Sequence, residues 1–172
     1  EPDEDARQRA LEQYGIVVQS SGHLFGLTPH QFHAITLWHV LEHVAMLDEY
    51  LQQFAKLLLP EGVLIVAVPN YTSYEAAYYG EYWAAYDVPR HFHHFSPASM
   101  KVLAERNGYS LLRTEPMWLD AFYISLLSER YRHGNSRWIS AFCRGLMSNW
   151  VAWWNKDRCS SLVYVLKVDV AK

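Results

Sequence analysis

The sequence predicts an α/β fold in which helices layer a largely parallel β-sheet. Residues 34–38 and 63–68 are apolar and rich in β-forming side chains, as strands buried on both faces are. Between them an apolar stripe recurs at helical spacing, and Pro60 and Gly62 are expected to end that helix. Two strands joined by one helix form a right-handed βαβ unit with parallel strands. The stripe consists of Leu47, Leu51, Phe54 and Leu58.

The other elements follow in order along a chain of 172 residues, a length that indicates one domain. Ser96 is the expected N-cap of a helix, with Pro97 at its first position and Gly108 after its end. Residues 20–30 are predicted to form a loop. Helices are predicted at residues 3–13, 72–80, 96–107, 119–131 and 138–155, and further strands at residues 16–19, 109–113 and 161–168.

The composition indicates which binding partners and which cellular compartment to expect. The formal charge is −3 and no basic run is present, so nucleic acid is not an expected partner. Cys143 and Cys159 are the only cysteines, which indicates a reducing cytoplasm. The longest apolar stretch, residues 138–154, contains Arg144 and Asn149 and predicts no stable membrane span. Aromatic residues near it leave interfacial membrane contact as an alternative to simple helix packing.

The functional site is expected at the carboxyl ends of the two central strands, where ligands bind in parallel sheets. Residues 39–43 also match the H-x-x-E-H pattern of inverted zinc peptidases. On a helix, His39 and His43 would share one face and could bind zinc. Because a strand-like run leads directly into His39, we assign no metal site and keep a zinc hydrolase only as an alternative. The candidate side chains are Trp38, His39, Glu42, His43, Pro69 and Asn70.

Two segments carry a resemblance to a known family. The first is LWHVLEH at residues 37–43; the second combines YW at 82–83, DVPRH at 87–91 and HFS at 94–96. With the order of elements, they resemble small bacterial-type class I S-adenosylmethionine (SAM) dependent methyltransferases over essentially the whole chain. The resemblance implies a doubly wound Rossmann-like sheet of seven strands, mostly parallel with an antiparallel last strand, and SAM as the cofactor.

The sequence departs from that family near its N-terminus. The family's first strand ends in a glycine-rich turn, whereas Gly22 and Gly26 have the wrong spacing for it. The resemblance therefore implies that the N-terminal strands are missing and that the chain begins at the end of the second strand. Loss of the first strand would open an edge beside residues 34–38, so we expect a homodimer or a rearranged N-terminal region.

The resemblance also assigns cofactor contacts. Glu1 takes the position of the acid that binds the ribose hydroxyls, although a terminal glutamate is also a common solvated residue. The loop that borders adenine, or is an ordinary surface loop, contains Ser21, Gly22 and His23. At the methionine end an aromatic face can lie against the sulfonium cation. The residues implied there are Leu37, Trp38 and His39.

Residues 71–95 are the expected acceptor site and lid, and residues 118–156 the expected helical cover. His91 and His94 are the candidate bases, since histidine titrates near neutral pH, and Arg90 would hold an anionic acceptor. Alternatively, Asp87, Arg90 and His91 form a clamp that folds the loop. Aromatic faces in this segment suit a ring or a sugar. The acceptor-binding candidates are Asn70, Tyr71, Tyr82, Trp83 and Tyr86.

We therefore expect a SAM-dependent methyltransferase that acts on a small-molecule, glycan or lipid-precursor acceptor. A methyl transfer of this kind depends mainly on positioning and on exclusion of water. The alternative from another class is a non-catalytic methyltransferase-like fragment that does not bind SAM.

Overall fold

The computed structural model describes residues 1–169 and contains a four-stranded sheet flanked by helices. Residues 170–172 of the predicted domain lie outside the described residues. The strands are β1 (Phe32–Trp38), β2 (Leu58–Pro69), β3 (Tyr109–Pro116) and β4 (Ser161–Val168). The helices are α1 (Glu4–Tyr14), α2 (Leu47–Leu57), α3 (Tyr74–Tyr79), α4 (Pro97–Arg106), α5 (Asp120–His133) and α6 (Trp138–Trp154).

The strand order in the sheet is β1-β2-β4-β3. β1 and β2 are parallel, with Ala34 opposite Val63 and Trp38 opposite Ala67. β4 lies between β2 and β3 and is antiparallel to both. The α/β class, the parallel βαβ unit and the antiparallel last strand are thus confirmed. The carboxyl ends of β1 and β2 meet at one edge, which is where the site is expected.

One face of the sheet forms the main core. Leu64, Val66 and Val68 alternate along β2 and are fully buried, as the period of a strand requires. Their partners across β4 are equally buried, so the two central strands present one continuous apolar surface. That surface packs against α2 and α4 through Leu51, Phe54, Met100 and Leu103.

The predicted start of α4 is confirmed. The Ser96 hydroxyl accepts a hydrogen bond from the Ser99 amide at 3.1 Å, and the Ser99 hydroxyl accepts one from the Ser96 amide at 2.8 Å. Pro97 occupies the first turn, where its missing N–H leaves no bond unmade. This reciprocal capping box fixes the point at which residues 71–95 return to the core.

One predicted strand and one predicted boundary between a helix and a strand are wrong. Residues 16–19 form no strand, because they have no neighbouring strand to pair with and lie in solvent. α2 ends at Leu57 and β2 starts at Leu58, so Pro60 and Gly62 lie within β2 instead of separating helix from strand. A side chain at Gly62 would lie 2.9 Å from the carbonyl oxygen of Phe32. This glycine therefore marks a close approach of two strands.

β1 occupies one end of the described sheet and is only half covered. Leu37 points into the core, whereas Ala34, Thr36 and Trp38 on its other face are exposed. β1 pairs with β2 on one side. An edge of this kind is a surface on which a further strand can pair, and the expected homodimer stays a prediction.

α5 and α6 pack against each other through a small residue. A side chain at Gly145 would lie 2.5 Å from the Phe122 ring, so only glycine permits this contact. The outer surface of the pair is rich in exposed apolar side chains. Among residues 1–169, none of the helices combines the length and the hydropathy that a membrane crossing requires.

Candidate functional site

His39 is the first residue beyond β1, and it takes a left-handed backbone conformation with φ of 53°. The chain then turns into a single 3₁₀ turn at Leu41–His43, so His39 and His43 do not share the face of an α-helix. The ring of His39 is held between two acids. Its Nε2 lies 3.0 Å from Asp120 Oδ2, and its Nδ1 lies 3.3 Å from Glu42 Oε1. The arrangement that an H-x-x-E-H zinc peptidase needs is therefore not formed.

These two carboxylates control the charge of His39. Hydrogen bonding to Asp120, and then to Glu42, raises the pKa of His39 from 6.5 to about 9 against the opposing effect of burial. His39 is accordingly an imidazolium at neutral pH, with one positive charge between two carboxylates. Glu42 is only 1% exposed and Asp120 begins α5. Sequence reasoning missed Asp120, whose only signal was an acid at a helix N-terminus.

The two segments that carry the family resemblance, here called the motif segments, contact each other next to His39. The amide groups of Phe92 and His93 donate to the carbonyl oxygen of Glu42, at 2.9 and 3.3 Å. His43 Nδ1 lies 3.1 Å from the carbonyl oxygen of Arg90. The His43 and His91 rings are edge to face with centroids 4.6 Å apart. Residues 37–43 and 87–94 thus form one hydrogen-bonded unit.

A cavity of about 370 Å³, here called the His39 cavity, opens beside this unit. It brings together five of the predicted site residues with the unpredicted Asp120, namely His39, Glu42, Pro69, Arg90 and His91. α5 forms one wall, and the segment before Arg90 forms another. The remaining lining residues are Ala84, Ala85, Asp87, Tyr123, Ile124, Leu127 and Tyr131.

Arg90 and His91 have different environments at this cavity. Arg90 Nη2 lies 2.7 Å from Asp87 Oδ1, yet the side chain of Arg90 is 73% exposed. His91 Nδ1 bonds to the carbonyl oxygen of Ala85 at 2.9 Å. Burial lowers the pKa of His91, so its ring is neutral at pH 7. Arg90 is a solvent-facing cation, whereas His91 is a partly buried neutral imidazole.

His94 lies on a second, open groove of about 840 Å³, here called the tyrosine groove. Tyr71 and Tyr86 line it as well, and His94 Nε2 bonds to the carbonyl oxygen of Tyr86 at 2.9 Å. The His91 and His94 rings are neighbours, with centroids 6.3 Å apart. The acceptor candidates Tyr71 and Tyr86 line the tyrosine groove, whereas His39 lines the other cavity, and Tyr82 lies exposed outside both linings.

Asn70 and Trp83 lie in the interior, each 1% exposed. The amide of Asn70 donates to the carbonyl oxygens of Asp157 and Cys159, and its oxygen accepts two bonds from Thr72. Its polar atoms are thus used to hold the loop after β2. Trp83 packs in a small core with α3 and α5. In this conformation both residues support the acceptor segment from inside, and their contact with an acceptor stays a prediction.

The residues that the resemblance assigned to the cofactor have different environments. Trp38 is 53% exposed, while Leu37 is buried in the core. The Ser21–Gly26 turn, which contains Ser21, Gly22 and His23, is anchored by the Gln53 side chain, which donates to Leu24 at 3.0 Å. The Glu1 carboxylate is exposed and accepts from the Asp3 amide at 3.1 Å. Of this set, only His39 lines the His39 cavity.

The strand order and the site beyond β1 define a Rossmann-like methyltransferase fold. The model of a family described as a methyltransferase domain matches residues 1–114, and the chain belongs to that family. A search of curated proteins found no significant match.

Solved structures with this fold are distant in sequence. A SAM dependent methyltransferase from Archaeoglobus fulgidus is 18% identical, with a TM-score of 0.60 over 97% of this chain and 73% of that one. A protein assigned as a sarcosine dimethylglycine methyltransferase from Galdieria sulphuraria is 15% identical, with a TM-score of 0.61 over 98% and 68%. The cyclopropane synthase MmaA2 from Mycobacterium tuberculosis is 11% identical, with a TM-score of 0.54 over 95% and 67%. These likenesses establish the fold.

Proposed function

We propose that this protein is a SAM-dependent methyltransferase that acts on a small-molecule, glycan or lipid-precursor acceptor. Membership of the methyltransferase-domain family supports the reaction class. The observation that carries the proposal in this chain is the bonding of residues 87–94 to Glu42, directly beyond β1. That contact joins a segment rich in candidate acceptor-binding side chains to the sheet edge at which ligands bind in such folds.

The chemistry of the residues beyond β1 fits a sulfonium cofactor. SAM supplies, when bound, a methyl group on a positively charged sulfur. Trp38 offers an open aromatic face, and such faces attract cations. The two carboxylates beside His39 outnumber its single positive charge, which gives this edge a negative character. Leu37 anchors the end of β1 in the core, next to Trp38 in the chain.

Arg90 and the neighbouring histidines are proposed to receive the acceptor. Arg90 is exposed at the His39 cavity and suits an anionic group, for which it would exchange its bond to Asp87. His91 and His94 each have one ring nitrogen bonded to a backbone carbonyl and a second nitrogen that can accept a proton. Tyr71, Tyr82 and Tyr86 would pack against a ring or sugar of the acceptor.

A labelled methyl-transfer assay tests the proposal. The purified chain is incubated with methyl-labelled SAM and a panel of hydroxyl and amine acceptors drawn from small molecules, glycans and lipid precursors. Label should pass to one acceptor class, and Arg90→Gln should raise KM more than it lowers kcat if the acceptor is anionic. A chain that neither binds SAM nor transfers label to any acceptor would instead be the non-catalytic methyltransferase-like fragment.

Three further properties are proposed from the surface of the chain. We infer a homodimer through the open edge of β1, and light scattering after size exclusion would give twice the chain mass.

Interfacial membrane contact would use the exposed tryptophans of α6, Trp150, Trp153 and Trp154, and flotation with anionic vesicles measures it. We also propose a cytoplasmic location, which the presence of only two cysteines supports. Fluorescent tagging in cells tests it.

A further inference from the structure

Glu42, His43 and His91 converge at the point where the two motif segments meet. One ligand atom of each residue lies within 4.8 Å of those of the other two. One carboxylate and two imidazoles form a ligand set found in catalytic zinc sites, where a fourth position stays open. We propose that these three residues bind a divalent transition-metal ion, for which Zn²⁺ is the best match to the ligands.

The carboxylate of Glu42 lacks the bonds that a buried acid normally makes. Its side chain is 1% exposed, and within residues 1–169 neither oxygen accepts a hydrogen bond of good geometry. His39 is its ion-pair partner at 3.3 Å, through one oxygen. Buried carboxylates are normally paired or coordinate metals. A metal ion would satisfy the oxygen that His39 leaves without a partner.

Each of the two histidines has one ring nitrogen bonded to a backbone carbonyl, which leaves its other ring nitrogen for a metal ion. His43 Nδ1 bonds to the Arg90 carbonyl at 3.1 Å, and His91 Nδ1 bonds to the Ala85 carbonyl at 2.9 Å. A carbonyl oxygen only accepts, so Nδ1 carries the proton in each ring. The nitrogen that each ring can offer to a metal ion is then Nε2. Histidine ligands of metals commonly donate their second N–H to a backbone carbonyl in this way.

The size of the site is compatible with coordination after a small closure. Zinc bonds of about 2.0–2.2 Å bring ligand atoms to within about 3.5 Å of one another in a tetrahedral site. The ligand atoms, which lie within 4.8 Å of one another, would therefore approach one another by about 1 Å when an ion binds. His43 is exposed, which gives an ion access from solvent. In this site His43 would share the metal ion with His91, which comes from a distant segment of the chain. His39 is not one of the ligands, because its ring stays bonded to Asp120.

The metal site has one consequence for the proposed reaction. Nε2 of His91 would be a ligand and not a base, so His94 would keep the proton-accepting role. The metal-binding measurement needs neither SAM nor an acceptor. The metal site and the methyl transfer can therefore fail independently.

Zinc binding to the full chain tests the proposal. Chelator-treated protein is titrated with ZnCl₂ by calorimetry, and the dialysed complex is measured by elemental analysis. Wild type should bind one equivalent. Glu42→Gln and His43→Gln should each weaken binding by at least about 100-fold, because removal of a ligand should exceed the 10–100-fold effect of outer-shell changes. Glu75→Gln, which removes another fully buried carboxylate, should bind as wild type does.

Two features keep the test decisive. His43 is exposed, so its substitution is not expected to unfold the chain, and circular dichroism checks this. Co²⁺ bound to wild type should give visible absorption bands of a four- or five-coordinate site with nitrogen ligands. Absence of stoichiometric zinc in wild type, or equal affinity in wild type and His43→Gln, would overturn the proposal.

Discussion

Glu42 and Glu75 are both buried glutamates, and their surroundings differ in kind. Glu75 lies in α3, where its Oε2 accepts a hydrogen bond of 2.6 Å from the hydroxyl of Ser148 on α6. Glu42 lies beside three histidines beyond β1. One carboxylate is bonded to a neutral hydroxyl between packed helices, and the other adjoins groups that can carry charge or bind an ion.

Burial of an acid does not by itself indicate a functional site. Burial raises the pKa of Glu75 to about 7, with the serine hydroxyl opposing the shift. Glu75 lines neither of the two cavities described above. Glu42 lines the His39 cavity and joins both motif segments. The partners of the carboxylate therefore distinguish structural packing from chemistry.

The largest expected effect concerns the pH dependence of stability through Glu75. Because its folded pKa is about 7 and its unfolded value 4.5, the unfolded state loses its proton first as pH rises. Stability should fall by about 3 kcal/mol between pH 4.5 and pH 7.5. Glu75→Gln should remove most of this loss. Urea unfolding of both proteins across that range measures it, and parallel pH profiles would contradict the assignment.

Ser148→Ala is expected to have the next largest effect. The substitution leaves a buried carboxylate oxygen without its donor, which should cost about 1–3 kcal/mol at pH 8. Ser125 is equally buried, and its hydroxyl makes no hydrogen bond within the described residues. Ser125→Ala is thus a matched control that should cost less. Equal losses in the free energy of unfolding of the two variants would show that the hydrogen bond from Ser148 to Glu75 does not stabilise the fold.

Asp120→Asn tests the other side of the comparison. The variant removes the largest cause of the raised pKa of His39, so that pKa should fall from about 9 toward 6.5. In wild type, the stabilisation from this pair is complete below pH 6.5 and is lost as pH rises through 9. Imidazole titration by NMR gives both values. Asp87→Asn should leave His39 unchanged, and an unmoved pKa in Asp120→Asn would contradict the ion pair.

The smallest effect is expected at Arg90. Its pair with Asp87 is exposed, so Arg90→Gln should change the free energy of unfolding by less than about 1 kcal/mol. Arg106→Gln breaks another exposed pair, with Asp48, and serves as the reference. A loss at Arg90 well above that of Arg106→Gln would favour the alternative in which Asp87, Arg90 and His91 clamp the loop. Thermal unfolding is sufficient for this measurement.

Sequence reasoning succeeded where local pattern and burial agree. β4 has the predicted bounds, because its residues fit a strand paired on both sides. The Ser96 cap was predictable because capping depends on four consecutive residues. Residues 16–19 have similar β-forming composition but no partner strand, so they remain irregular. Composition describes a strand's preference, and pairing decides whether it forms.

The site was predictable in part for the same reason. The motif segments pointed to His39, Arg90 and His91, which do line one cavity. Asp120 reaches His39 from a helix far along the chain, and no local signal records that contact. Trp83 is expected from its aromatic neighbours to face a ligand, and its side chain lies in the core of the structure. Residue type alone does not reveal which side of a loop faces inward.

Calorimetric titration of the purified chain with SAM tests the central claim most directly, namely that the carboxyl end of β1 holds the methyl donor. The account predicts saturable binding of one SAM per chain, about tenfold weaker in Trp38→Ala because a cation–aromatic contact is lost. Trp154→Ala, which removes an exposed tryptophan from α6, should leave the affinity unchanged. Absence of binding to wild type at millimolar SAM would contradict the account.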